Sequence, residues 1–220
     1  MADDDGFDIK AFQQEIKNWA NGASQEAHCS FASQGAARVL ANIGGSLRPD
    51  DFIGFSFDVI LIRAIVTSAV TGTVPTVGVK DAANSAYSAA NSTRNSAARS
   101  AYSAASSAYS AANTAASPFA VSAAYASAAI HSAASSSTYS TYSAARATAE
   151  LLNQSAPKAL FDRPLWLNVT WPDATAKNWT TLRSEWSTDP AMTFWIDWYD
   201  GLLAGRTPDW DLWHDIVLIG

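Results

Sequence analysis

This sequence has unusually few charged residues. Only 15% of its 220 residues are Asp, Glu, Lys or Arg, where globular domains usually carry about a quarter. The balance is acidic, with a net charge of −6 at pH 7. Because a general phosphate-backbone interface needs a basic surface, the composition argues against nucleic acid as a partner through such a surface. Apolar residues make up 48% of the chain, which is enough for a hydrophobic core.

Cysteine is nearly absent as well. Cys29 is the single one, so no internal disulfide can form, as is typical of a reducing compartment. The N-terminus reads MADDDGFD and lacks the basic-then-apolar order of a signal peptide. The most apolar stretch, residues 57–70, contains Asp58 and Arg63 and is shorter than the about 20 residues of a membrane helix. We therefore expect a cytoplasmic protein with no membrane partner, and a buried helix at residues 57–70.

Glycine is missing from residues 81–150, and proline occurs there once, at Pro118. Alanine and serine supply 27 and 18 of these residues. This composition excludes a flexible Gly/Ser linker. A phrase of the type SAYSAAN recurs every seven residues, with one insertion at Arg99. Because period seven belongs to a helix and not to a strand, the segment is predicted to be helical.

The Ala/Ser-rich segment is predicted to form two long helices that pair as an antiparallel hairpin. The first would span about 80–116, and the second would start at Ser117-Pro118 and end near 153, with a weak point at 135–141. Alanine at the contact positions lets helix axes approach closely. The tyrosines of these helices would lie at the edges of the packing, with their rings inward and their hydroxyls outward.

Larger apolar side chains precede this segment. Their spacing predicts helices over 8–20, 23–42 and about 51–70. Residues 71–79, TGTVPTVGV, are rich in β-branched residues and punctuated by glycine and proline. They are predicted to form a connection, with a short extended segment as the alternative.

Tryptophan is concentrated at the other end, with eight of the nine between 166 and 213. An extended connector is predicted over 160–171, and each of Pro172, Pro190 and Pro208 is followed by a helical pattern. The sequence therefore predicts an all-α protein. It would have an N-terminal helical region (1–78), an Ala/Ser-rich helical hairpin (79–155) and a Trp-rich C-terminal helical cap (156–220), together forming one compact domain.

Side chains for catalysis or metal binding are few. Asp211 and Asp215 share a helix face beside His214, but an exposed acidic face explains them better than a metal site. Cys29, among small neighbours on a helix, is typical of a buried thiol. No nucleophile elbow, phosphate loop or dinucleotide fingerprint is present. We expect no metal, no cofactor and no catalytic residue.

One cluster in the C-terminal cap has the composition of a ligand site. Asp197 and Asp200 lie three residues apart among aromatic side chains. Paired carboxylates can perform glycoside chemistry, and aromatic rings beside carboxylates suit sugars or cations. The candidate ligand-binding residues are Trp195, Asp197, Trp198, Tyr199 and Asp200.

A competing interpretation of the same helix needs no ligand. Its large apolar residues could form a core face, with Asp197 and Asp200 on the other side. The residues of that face would be Phe194, Trp195, Trp198, Leu202 and Leu203. This interpretation is favoured over the ligand site.

The order of these parts resembles a family of uncharacterised bacterial proteins found in alphaproteobacteria and their mobile elements. The matching stretches are FASQGAARVLANI (31–43), the Ala-rich 81–150, RPLW (163–166) and FWIDWYDGLLAGRTPDWDLWHDIVLI (194–219). The last of these is the most specific. The resemblance implies a bacterial origin but no activity, so no functional residue is carried over from it.

Three functions are compatible with these features. The first is a non-enzymatic protein-interaction module, active in phage–host or other mobile-element conflict, whose partner is a host or phage protein. The second is a small-ligand or sugar sensor or hydrolase that uses the Trp/Asp-rich region. The third is a structural, self-assembling protein whose partner is a second copy. The first is favoured because the sequence offers no credible active site.

Overall fold

The computed structural model describes residues 8–41, 56–74, 76–94 and 138–219. Every regular element in these ranges is helical, which confirms the all-α prediction. Two 3-10 helices lie at Pro157–Asp162 and Pro190–Met192. The α-helices are α1 (Ile9–Gly22), α2 (Gln25–Leu40), α3 (Ser56–Thr73), α4 (Val77–Arg94), α5 (Thr138–Gln154), α6 (Asp173–Trp186), α7 (Thr193–Ala204) and α8 (Trp210–Ile219).

Helices α2 and α3 form the centre of the molecule. From Ala27 to Arg38 every residue of α2 is buried, and α3 is buried from Ala64 to Gly72. Helix α2 is rich in alanine and serine over this stretch and has a glycine at Gly35. The pair therefore buries backbone as well as side chains. Helices α4, α5 and α8 pack around it, and α1 contacts α2 through the rings of Trp19 and Phe31.

The two central helices are in very close contact. The Ser33 hydroxyl donates to the Ile65 carbonyl at 3.0 Å, and the Ser68 hydroxyl donates to the Cys29 carbonyl at 3.0 Å. A methyl group added at Gly72 would lie 2.4 Å from Ser30 Oγ. Only glycine fits there, because the space of its missing side chain is filled by α2.

The outer helices pack on this pair. Helix α4 contacts α3 and α8, and α5 contacts α1 and α2. One hydrophobic cluster joins residues from all three predicted regions, among them Ile65, Tyr142 and Trp213. Over their described residues, the two Ala/Ser-rich helices α4 and α5 thus pack mainly on other helices and not on each other. Their pairing as an antiparallel hairpin stays a prediction. Most of the Ala/Ser-rich segment, residues 95–137, lies outside the described residues.

The connection predicted at 71–79 is much shorter than expected. Helix α3 continues to Thr73, and α4 begins at Val77. In a strand, the threonine hydroxyls would project away from the backbone. Here Thr71 Oγ1 donates to the Thr67 carbonyl at 2.8 Å, so the hydroxyl is satisfied within the helix. Thr76 Oγ1 then accepts the Val79 amide at 3.3 Å and caps α4.

The edge position predicted for the tyrosines is wrong for Tyr142. Its side chain is fully buried, and its ring meets the Phe12 ring edge-on at a centroid distance of 4.6 Å. The burial arises because α5 packs against α1 as well as α2. Tyr87 is half-buried against the core, and Tyr102, Tyr109 and Tyr125 lie outside the described residues.

Within the described part of the chain, no helix combines the length and the apolar character that a membrane span requires.

We expect Gly72→Ala to destabilise the protein by about 1–3 kcal/mol, because the new methyl group must displace the backbone of α2. Urea denaturation followed by circular dichroism measures this loss. Gly22→Ala is the matched control, since Gly22 ends α1 and a side chain there meets nothing within 4 Å. Alanine is also the better helix former. Equal effects of the two substitutions would contradict the close contact.

A second prediction concerns His28, whose buried ring lies with Nε2 2.9 Å from the Ala20 carbonyl and edge-on to Trp19. Burial lowers the pKa of His28 below 6.5, against smaller raising effects from the Ala20 carbonyl and the Glu26 carboxylate. The unfolded chain therefore takes up a proton at a higher pH than the folded one, so stability falls as the pH drops below 6.5.

The measurement compares urea midpoints at about pH 7.5 and about pH 5.5 for the wild type and His28→Gln. Glutamine keeps an amide donor for the Ala20 carbonyl but does not titrate, so the variant should lose less stability on acidification. An identical loss in both proteins would show that His28 does not contribute to it.

Candidate functional site

The C-terminal cap is held together by contacts between its irregular connector and α7. The Leu165 amide donates to the Leu202 carbonyl at 2.9 Å. Gly205 ends α7 in the left-handed conformation, with φ of 70°, and a side chain there would lie 2.6 Å from the Pro164 nitrogen. Two stretches that the sequence singled out, 163–166 and 194–219, therefore pack against each other.

Tyr199 attaches α7 to the centre of the molecule. Its hydroxyl donates to the Ala37 carbonyl near the end of α2 at 3.0 Å, and the side chain is fully buried. Beside it, Arg38 Nε donates to the Leu165 carbonyl at 2.9 Å and Nη2 donates to Thr148 Oγ1 at 2.7 Å. These bonds connect α2, α5, the connector and α7.

Burial dominates the electrostatics at this junction. It lowers the pKa of Arg38 to about 9, so the guanidinium is still charged at pH 7. It also raises the pKa of Tyr199 well above the ordinary 10.0, against smaller lowering effects of the Ala41 backbone and Arg38. The phenol is therefore a neutral donor. Arg38 is 2% exposed and makes no ion pair with any described carboxylate, so among the described residues its charge is stabilised by the oxygen dipoles of Leu165 and Thr148.

A cleft opens on the other face of α7, between this helix and α8. The α7 positions that line it follow an i, i+3, i+4, i+7, i+8 pattern, which places them on one face of the helix. Its volume is about 160 Å³. The lining residues are Phe194, Asp197, Trp198, Gly201, Leu202, Arg206, Thr207, Pro208, Asp209, Leu212 and Trp213.

Only two of the five candidate ligand-binding residues line this cleft. Trp198 forms part of its buried wall and Asp197 lies at its exposed rim. Trp195 is half-buried and packs edge-on against Trp198 at a centroid distance of 6.0 Å. Tyr199 points to the core, as described above, and Asp200 lies toward α6. The structure therefore distributes the predicted cluster over three environments.

The two carboxylates have separate partners. Arg206 Nη2 donates to Asp197 Oδ1 at 2.9 Å and to the Asp197 carbonyl at 2.8 Å. Asp200 accepts from Trp179 Nε1 at 3.0 Å and from Arg183 Nε at 3.1 Å. Each carboxylate thus neutralises a different arginine, and Asp200 does not line the cleft.

Two apolar residues at the rim of the cleft were not predicted to be there. Phe194, expected on the core face, is 38% exposed, and Leu212 is 44% exposed. The rest of the predicted core face does face the core, because Trp198 and Leu202 are buried and Trp195 and Leu203 are partly buried against it. Ile196, Tyr199 and Gly201 of α7 are buried as well. Leu212 was detectable in the sequence, because it falls outside the spacing of Trp210, Trp213 and Val217, which form the buried side of α8.

A second, larger cleft of about 290 Å³ lies between α5 and the connector. Its lining mixes Glu150, Gln154 and Asn168 with Arg163 and the aliphatic Leu151 and Leu167. None of these residues was a candidate. None of the described residues that line this cleft is aromatic, so it has fewer features of a binding site than the cleft beside α7.

Removal of the Tyr199 hydroxyl tests the attachment of α7. We expect Tyr199→Phe to lower the free energy of unfolding by about 1–2 kcal/mol, because the Ala37 carbonyl loses a buried donor. Urea denaturation monitored by tryptophan fluorescence measures the change. Unchanged stability would show that the hydrogen bond contributes nothing to the position of α7.

Neither a metal site among the described residues nor a similar known protein assigns a function to this chain. Across the described ranges, no group of three or more His, Cys, Asp or Glu side chains is placed to hold a metal ion. Comparison of the chain with protein-family models, with curated proteins and with solved structures finds no match.

Proposed function

We propose that this chain is a non-enzymatic protein-interaction module whose docking site is the cleft between α7 and α8. The observation that carries the proposal is the exposure of Phe194 and Leu212 at the rim of a cleft walled by Trp198 and Trp213. Aromatic and aliphatic side chains grouped in this way, with a polar rim, are typical of the centre of protein interfaces.

The size of the cleft favours a protein partner over a small ligand. Pockets for drug-sized ligands enclose roughly 300–1,000 Å³, and this cleft offers about 160 Å³. That volume suits one or two side chains of a partner whose remaining contacts lie on the surrounding surface. The apolar residues at the rim supply such a surface.

The alternative of a sugar sensor or hydrolase is less well supported. A pair of catalytic carboxylates must flank one bond of the substrate, but Asp200 is engaged by Trp179 and Arg183 outside the cleft. Asp197 and Trp198 alone would remain for a ligand. A structural, self-assembling role is the third candidate, and it would use the same exposed apolar residues.

The biological setting is proposed from the sequence. The resemblance to bacterial mobile-element proteins suggests a cytoplasmic module that meets a host or phage protein. Support for a conflict role comes from that resemblance alone, and support for protein docking comes from the cleft.

Site-specific photo-crosslinking tests the docking site. A photoreactive amino acid at position 212 should crosslink a discrete protein in an extract of the native cell. The same probe at Thr181, an exposed position on α6 that does not line the cleft, is the matched control. We expect a crosslinked band from position 212 that is absent from position 181. A Phe194→Ser substitution should weaken the band from position 212, because it removes apolar surface at the rim.

Two results would count against docking at this cleft. One is a set of bands shared by both probe positions, which would indicate random collision. The other is a band from position 212 that persists at full intensity in Phe194→Ser while the control Val77→Ser, which removes a more exposed apolar residue outside the cleft, abolishes it.

A further inference from the structure

We infer that the segment docked at the α7–α8 cleft is a basic amphipathic segment of a partner protein, with an apolar stripe flanked by lysines or arginines. This inference rests on the proposed docking function and adds the chemistry of the partner. It is drawn from the shape of the apolar surface and from the charges around it.

The apolar surface is longer than the cleft. Leu212 lines the cleft, and Ile216 and Ile219 follow it at i+4 and i+7 on the same side of α8. Ile216 is half-buried and Ile219 is 87% exposed. Over seven residues the stripe is about 10 Å long. Its shape matches a short amphipathic segment, whose apolar anchors recur at the same spacing.

The segment of the chain that forms this surface is acidic. From Thr193 to Gly220 the chain has five aspartates and one arginine, a net charge of −4. Residues 151–192 have four acidic and four basic side chains, so they are neutral. The acidic excess of the C-terminal region therefore lies on α7, α8 and the loop between them.

Not all of this charge is available to a partner. Asp197 pairs with Arg206, Asp200 pairs with Arg183, and Asp209 Oδ1 accepts the Leu212 amide as the cap of α8. Asp211 and Asp215 remain, both exposed on α8 beside the apolar stripe. Asp215 has His214 Nδ1 at 3.7 Å. A partner meets an apolar stripe with these two carboxylates along one edge.

Lysine and arginine complement this arrangement. Their aliphatic stems can cover apolar surface while the charged ends reach carboxylates in water. An acidic partner would bring like charges together and lose affinity.

The same charges disfavour two other occupants. A two-fold contact between copies of this chain would place the same acidic surface on both sides of the interface. An anionic membrane attracts basic amphipathic helices and repels acidic ones. The geometry therefore points to a basic protein segment over a second copy or a lipid surface.

Synthetic peptides test the inference on the full-length chain. The probes are a fluorescent amphipathic helix with a leucine face and a lysine face, and its twin with glutamate in place of lysine. Fluorescence anisotropy measures binding at about 0.05 M and 0.5 M salt. We expect the lysine peptide to bind at least about tenfold more tightly than the glutamate twin at low salt, with the difference reduced at high salt.

Variants locate the effect. The double substitution Asp211→Asn/Asp215→Asn should weaken binding of the lysine peptide by about threefold to tenfold. Glu150→Gln/Glu185→Gln is the matched control, because it removes two exposed acids elsewhere and changes the net charge equally. It should leave binding unchanged. Leu212→Ser should weaken binding through the loss of the apolar anchor. Circular dichroism of each variant verifies that the fold is intact.

Each outcome decides a different point. Equal weakening by the two double variants would overturn the inference, because attraction would then follow net charge and not this surface. Stronger binding of the glutamate twin that still depends on Leu212 would overturn the basic partner but leave docking at the cleft intact. Binding of neither peptide, together with no crosslink from position 212, would remove the proposed function itself.

Sedimentation and vesicle binding test the other occupants. A dimer that forms with rising concentration and is lost in Leu212→Ser would identify a second copy as the occupant and overturn the inference. Binding to vesicles with phosphatidylserine that is lost in the same variant would identify a membrane surface and overturn it too. A protein that stays monomeric, does not bind these vesicles and binds the lysine peptide more tightly than the glutamate twin supports the inference.

Discussion

The close contact between α2 and α3 is the constraint on which the rest of the structure depends. With glycine at position 72 and serine at position 30, the helices approach until serine hydroxyls reach across to backbone carbonyls. Such a contact buries little side-chain area, so stability comes from backbone packing and from the larger side chains of surrounding helices. It also fixes the position of the end of α2. There the Ala37 carbonyl accepts from Tyr199 and the Arg38 side chain donates to the Leu165 carbonyl, which attaches the C-terminal region.

Arg38 transmits this constraint to the candidate site. A buried cation that has no carboxylate partner among the described residues is costly, and hydrogen bonds to Leu165 and Thr148 only partly offset the lost hydration. The same bonds define where the connector and α5 can lie. Because Tyr199 binds the neighbouring Ala37 carbonyl, α7 is fixed in rotation as well as in position. That rotation turns Phe194 and Asp197 toward the cleft and solvent.

Local signals in the sequence predicted the C-terminal helices well. Asp189-Pro190, Gly205 and Pro208-Asp209 mark helix ends through backbone chemistry that acts over a few residues. Residues 71–79 were misjudged because threonine hydroxyls can bond within a helix as readily as β-branching favours a strand. The sides of α7 were assigned incompletely for another reason. Spacing identifies an apolar face, but which neighbour covers it depends on long-range contacts such as that of Tyr199 with α2.

The candidate site exists because neighbouring helices leave part of the apolar surface of α7 exposed. Helix α7 is apolar on more than one side: Tyr199 faces the core, while Phe194 and Trp198 face the cleft. The aspartates of the two helices divide in the same way. Asp200 and Asp209 bond to groups of the fold, whereas Asp211 and Asp215 are exposed along an apolar stripe. Exposed charges contribute little to stability, so their effect on a partner can be measured without disturbing the fold that presents them.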